Sequence, residues 1–246
     1  MLLTVLLINA PVEAKVLIAA ASSIRMPLEK LLEQFSYDTG IAVNVSYGAS
    51  GNLTHKILRG APYQLFLAAN VDYPQRILVK RPELPAYRIY ARGSLDLYAG
   101  PGSDCEVSDG LQGLPAQFQS GRIRKLAIAK PDIAPYGQVA RQAMQTLGVW
   151  VALQPYLVFG NNVAQAAQLA FSGAADCALI AHGLTLSPLL SDDATHTSVP
   201  ATAYEPVSHA MILLDDASET RVLWQFLVSE AAINAFIAAG FLQRSG

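Results

Sequence analysis

Four short segments of this chain place small residues and hydrogen-bond donors just before an apolar helical pattern. They are Ser22-Ser23, the run Gly48-Ala49-Ser50-Gly51-Asn52, the stretch KPDIAPYG ending in Tyr136-Gly137, and Gly160-Asn161-Asn162-Val163. A helix start leaves its first N–H groups without intrahelical acceptors and carries partial positive charge, so it can hold an anion. Ser22, Ser23 and Ser50 add hydroxyl donors, and Gly51 allows close approach of the backbone to a ligand. All these donors are neutral. The four segments hold one acid, Asp132. Such a set suits a fully deprotonated oxyanion such as molybdate, tungstate or sulfate. Phosphate, which keeps a proton part of the time near neutral pH, would want a carboxylate acceptor and is disfavoured.

Each segment also has a plainer reading. Serine and asparagine are ordinary helix caps, and a glycine-flanked serine is an ordinary turn. The weight lies in all four having one character. Nucleophilic chemistry at Ser50 is poorly supported, because YGASGN is one residue short of the G-x-S-x-G elbow. The histidines, His55, His182, His196 and His209, show neither metal-ligand spacing nor an obvious base partner, and His55 reads as an exposed helical residue. There is no phosphate-binding Walker loop and no dinucleotide fingerprint.

The elements needed to position these segments repeat four times as apolar run, polar loop and helical period. KVLIAAASSIRMPLEKLLEQFSYDTG gives a strand, then a helix with Leu28, Leu31, Leu32 and Phe35 on one stripe and Gly40 as its stop. IAVNVSYGASGNLTHKILRG follows, with Leu53, Ile57 and Leu58 on one face, and two more units begin at KLAIAK and YLVFG. Strands alternating with helices argue for α/β lobes with mostly parallel sheets flanked by helices. Two extended runs, YARGSLDLYAG (residues 90–100) and YEPVSHAMILL (residues 204–214), separate the units into pairs and imply two crossings. Two C-terminal helices, one opening at Ser229 and closing at Gly240, return to the first lobe. In such sheets ligands bind beyond the carboxyl ends of the strands.

The 246 residues are 52% hydrophobic and 15% charged, with net charge −2, which is enough for a large core and gives no basic footprint for nucleic acid. Residues 1–14, MLLTVLLINAPVEA, read as a secretory signal ending in a small-x-small site, too short to span a bilayer. Export would permit a disulfide between the two cysteines, Cys105 and Cys177; a bridge and buried free thiols both stay open.

The motifs AAASS, YGASGNL, GAPYQLFLAAN, IAKPDIAPYG, GNNVAQAAQLAFSGAADCALIA, YEPVSHAMILL and AAGF, in this order, resemble the periplasmic molybdate-binding proteins of ABC importers, from Lys15 to the C-terminus. The resemblance implies the two-lobed type II periplasmic-binding-protein fold, with a first lobe of residues 15–96 and 207–246 and a second of 97–206. It implies molybdate or tungstate as ligand, with molybdenum entering only as that oxyanion, no cofactor, and a membrane permease as partner. It implies a periplasmic monomer without enzymatic activity. Carried across, the ligand contacts fall on Ser23 with Ser22 beside it, on Ser50, on Tyr136 and on the main-chain N–H of Val163. Members with a small residue in the third loop supply a tyrosine from the strand after the fourth helix, where this chain has Ala181. The alternatives are a same-fold protein for another oxyanion such as sulfate, an exported serine hydrolase using Ser50, and a sensor lobe.

Overall fold

The computed structural model describes residues 15–243 apart from 189, 191 and 192. The expected signal segment, residues 1–14, lies outside the described residues. The chain forms two five-stranded sheets flanked by helices, one in each lobe.

The first lobe contains β1 (Lys15–Ala21), α1 (Arg25–Thr39), β2 (Ala42–Gly48), α2 (Ser50–Leu58), β3 (Leu65–Ala68), α3 (Asp72–Lys80) and β4 (Arg88–Gly93). The second contains β5 (Leu95–Ala99), α4 (Gly110–Gln119), β6 (Leu126–Ala129), α5 (Pro135–Thr146), α6 (Trp150–Leu153), β7 (Leu157–Gly160), α7 (Val163–Phe171), β8 (Cys177–Ala181), α8 (His182–Thr185) and β9 (Thr195–Ser198). The chain then returns to the first lobe as β10 (Val207–Leu213), α9 (Ser218–Leu227) and α10 (Glu230–Ala238). No helix among the described residues is long and apolar enough to cross a membrane.

The α1 stripe, Leu28, Leu31, Leu32 and Phe35, is buried as its 3.6-residue spacing requires, and Gly40 ends the helix at φ +70°. Ser229 caps α10 by accepting the N–H of Ala232. In α2, Leu53 and Ile57 are buried, but Leu58, expected on the same face, is 43% exposed. Leu58 is the last residue of the helix, beyond the end of the surface that Leu53 and Ile57 cover.

The sheet orders are β2-β1-β3-β10-β4 and β7-β6-β8-β5-β9. In each sheet four strands point one way and the fourth in order, β10 or β5, runs antiparallel to both neighbours. The reversal follows from connectivity. The carboxyl ends of the other strands face the opposite lobe, so a strand entered directly from that lobe starts at the cleft and runs away from it. β5 does so after the single residue Ser94, pairing Leu95 with Ala181; β10 does so by pairing Val207 with Gly93. The first crossing therefore lies at Ser94, and the boundary expected after residue 96 falls inside β5, with Leu95 and Asp96 in the second sheet. The run RIYARGSLDLYA mixes apolar and polar residues on both sides of Ser94, so its pattern alone does not say where one sheet ends and the other begins.

The lobes are closed on each other. The N–H of Gly51 donates to the carbonyl of Ile133 at 2.9 Å, and Ala21, Ala49 and Ala69 of the first lobe join the buried apolar cluster of the second. Away from this contact, Gly183 of α8 packs so closely on Ala239 and Phe241 that a Cβ there would stand 2.8 Å from the Ala239 carbonyl. Cys105 and Cys177 are buried free thiols in hydrogen-bond contact, and that bond together with burial pushes the Cys177 thiol well up.

Candidate functional site

The ends of β1, β2, β3, β6 and β7 gather around one small cavity between the lobes. Its wall comprises Ala21, Ser22, Ser23, Gly48, Ala49, Ser50, Ala69, Ala134, Pro135, Tyr136, Asn162 and Val163. The space open to the centre of a water-sized sphere is about 10 Å³, close to that of a single sphere. A small compact ion fits such a space; a sugar, peptide or acyl substrate does not. None of the lining residues is an acid, a lysine or an arginine. Asp132, the one acid of the four segments, is exposed and not part of the wall.

The five expected contact residues, Ser22, Ser23, Ser50, Tyr136 and Val163, all line this cavity and all are buried. Neither Ser22 nor Ser23 caps α1. Both lie in a 3-10 turn (Ser22–Ile24) between β1 and α1, whose cap position is Ile24, without a side-chain cap. Ser50 likewise is the first residue of α2 rather than its cap, and its Oγ accepts the N–H of Ala69 at 3.0 Å. That bond uses a lone pair of Ser50 and leaves its O–H proton free to donate. Val163 opens α7, where its N–H has no intrahelical acceptor; Asn162 caps the helix by taking the N–H of Gln165 at 3.0 Å. The expectation for Asn162 as a cap holds. Gly51 differs from expectation: a Cβ there would lie 2.7 Å from the Ile133 oxygen, so the close approach that glycine permits is to the opposite lobe.

Tyr136 is buried, and its hydroxyl has no hydrogen-bond partner among the described residues. The oxygen lies over Gly93 at the crossing, where a Cβ would stand 1.9 Å away. Burial pushes this phenol far up, with Tyr204 and Asp96 adding to the shift.

Two groups of residues were not foreseen as working together. His209, on β10 and fully buried, sits 3.0 Å from Ser23 Oγ through Nε2, while its Nδ1 lies 3.0 Å from the Val207 carbonyl. A carbonyl only accepts, so Nδ1 carries the proton. Burial holds the imidazole down at about 4, so the ring is neutral and Ser23 donates to Nε2. The second group is centred on Asp96, fully buried on β5. Its Oδ2 accepts from His182 Nδ1 at 2.8 Å and His196 Nδ1 at 2.9 Å, and its Oδ1 accepts from Ser198 at 3.0 Å. The reading of the histidines as lacking an obvious partner is thus corrected for His182, His196 and His209. A lone histidine in SHAMILL and a lone acid in SLDLYAG, both within apolar strands, were the available signals.

Residues 16–242 match the family model described as "Bacterial extracellular solute-binding protein". The molybdate-binding protein ModA of Azotobacter vinelandii is 31% identical over 241 residues, covering 96% of this chain and 93% of that one. ModA of Rhodobacter capsulatus is 28% identical, covering 93% and 88%. The solved structure of the Azotobacter vinelandii periplasmic molybdate-binding protein superposes with a TM-score of 0.81 at 30% identity, covering 94% of this chain and all of that one.

Proposed function

The chain belongs to the bacterial extracellular solute-binding protein family, and from that premise we propose that it captures molybdate or tungstate in the interlobe cavity and delivers it, outside the cytoplasm, to the permease of an ABC importer. The observation that carries this reading is the cavity itself. It is narrow, ion-sized, and walled by hydroxyls and helix starts with no lining acid, lysine or arginine. Such a wall stabilises a small anion by aimed dipoles and gives a hydrogen phosphate no carboxylate to receive its proton. Ser22, Ser23, Ser50, Tyr136 and the N–H of Val163 are the proposed contacts. The relatives that are binding proteins rather than enzymes support a transport role, as does the closed state, which a ligand touching both lobes favours.

Ser23 and His209 stand at the separation of a nucleophile and its base. The cavity beside them has no room for an acyl group, so binding without turnover is the reading adopted. Calorimetry of the ligand-free protein with molybdate, tungstate, sulfate and phosphate tests it. Tight binding of the first two and much weaker binding of the others is expected; sulfate bound as tightly as molybdate would move the assignment to a sulfate carrier.

A further inference from the structure

We propose that His209 loads one proton when a doubly charged oxyanion binds, and that this turns Ser23 from a donor to His209 into a donor to the anion. This deepens the oxyanion reading above and rests on it.

The reasoning starts from the count of protons. Nδ1 must donate to the Val207 carbonyl, so the neutral ring offers a lone pair at Nε2, and the single hydroxyl proton of Ser23 fills that bond. Ser23 then shows only lone pairs to the cavity it lines. An anion oxygen placed there meets lone pair against lone pair. Ser23 could turn its proton to the anion, but Nε2 would be left buried without a partner. The ring is 0% exposed and enclosed by the rings of Tyr90, Tyr136 and Phe241, with Gly93 against its Cε1 side, and Ser23 is the hydrogen-bond partner that the described residues give Nε2. A proton on Nε2 removes the conflict: the imidazolium donates to Ser23 Oγ, and the Ser23 proton goes to the anion.

The anion supplies the driving force. It sits one hydroxyl away in a site without lining cations, where charges interact strongly. The groups facing His209 do not compete. Tyr90 on β4 and Tyr136 on α5 are buried phenols held protonated, and the other packed neighbours, Phe241 and Gly93, carry no charge. Arg92 on β4 pairs with Ser208, next to His209 in β10, and Asp96 on β5 is already occupied by His182, His196 and Ser198. The device also ranks ligands by charge. A singly charged tetrahedral oxyanion of similar size, perrhenate, drives the proton uptake less and binds more weakly.

The test is calorimetry of the whole protein with sodium molybdate in paired buffers of unlike ionisation enthalpy, from about pH 6.5 to about pH 8.5, where linkage predicts the slope. The expected result is net proton uptake on binding, largest near about pH 6.5 and declining toward about pH 8.5, with affinity falling by up to about tenfold per pH unit and perrhenate bound more weakly than molybdate. In His209→Gln the side-chain amide stands near the place of Nε2 and donates to Ser23 without titrating. Molybdate binding should remain while proton uptake and the pH slope disappear. Should that variant fail to fold, the proton count of the parent protein decides alone. Binding without proton uptake, or a slope retained in His209→Gln, overturns the role of His209 and leaves the oxyanion reading standing. Absence of oxyanion binding at every pH overturns both.

Discussion

The N–H of Gly51 and the carbonyl of Ile133, 2.9 Å apart, tie the start of α2 in the first lobe to the loop before α5 in the second. A Cβ on Gly51 would stand 2.7 Å from that oxygen and 3.0 Å from the Ile133 Cα, both main-chain atoms that yield only if the lobes part. Gly51→Ala should therefore weaken molybdate binding at least tenfold, about 1.4 kcal/mol. The unliganded fold should lose no stability, since alanine is the better helix former by up to about 1 kcal/mol. Small-angle scattering should show a wider molecule in the presence of molybdate than the parent gives. Parental affinity and an unchanged profile would mean that closure does not depend on this contact.

Ser50 has two tasks that one substitution separates. Its lone pair receives the buried N–H of Ala69, and its proton is free for the ligand. In Ser50→Ala the orphaned N–H should cost the unliganded protein about 1–3 kcal/mol, and the lost donor should cost about 1.5–3 kcal/mol of anion affinity. Denaturant melts and calorimetry read the two losses independently. Ester hydrolysis should be absent from both proteins. Turnover by the parent that vanishes in the variant would replace the binding role of this loop with a nucleophilic one.

Tyr136 gives the opposite pattern. Its hydroxyl is buried and unpartnered, so Tyr136→Phe should leave the unliganded protein as stable as the parent or slightly more so. If the phenol donates to the anion, affinity falls by about 1.5–3 kcal/mol. Unaltered affinity would remove the hydroxyl from the site and leave the ring as packing over Gly93.

Acid should weaken the unliganded protein through His209. Its folded value of about 4 lies below the usual 6.5, so between these limits the unfolded chain binds the proton and the folded state does not. Stability thus falls as pH drops from about 6.5 to about 4, by about 3 kcal/mol in all, and this contribution levels off below. His209→Gln should flatten that part of the profile. An identical acid limb in parent and variant would assign the loss to other groups.

The parts of this molecule that were legible in the sequence are those set by local pattern. The α1 stripe, the glycine stop at Gly40, the cap at Ser229 and the placing of Ser22, Ser23 and Ser50 at strand-to-element turns all follow from spacing within one unit, whereas Tyr136 and Val163 were singled out by the family resemblance. What was not legible depends on partners far apart in the chain. Ser23 meets His209 across 186 positions, and Asp96 gathers His182 and His196 across 86 and 100. Pairing at such separations is decided by sheet order, which no local period records. The crossing at Ser94 was displaced for a related reason: β4 and β5 follow one another with one residue between them, and only their partners tell them apart.

The reversed strands have a consequence for the order in which the molecule can be completed. All five strands of the second sheet are consecutive in sequence, so that lobe holds everything its hydrogen-bond ladder needs by Ser198. The first sheet does not. Its β1, β2 and β3 pair early, but β3 and β4 become joined only when β10, beginning at Val207, slides between them. A chain emerging from its amino end therefore carries an open β3 edge through the whole synthesis of the second lobe. Such an edge is a template for wrong partners. During its birth, then, the half of the molecule made first is the half finished last, and it is the half that a holding chaperone would have to guard.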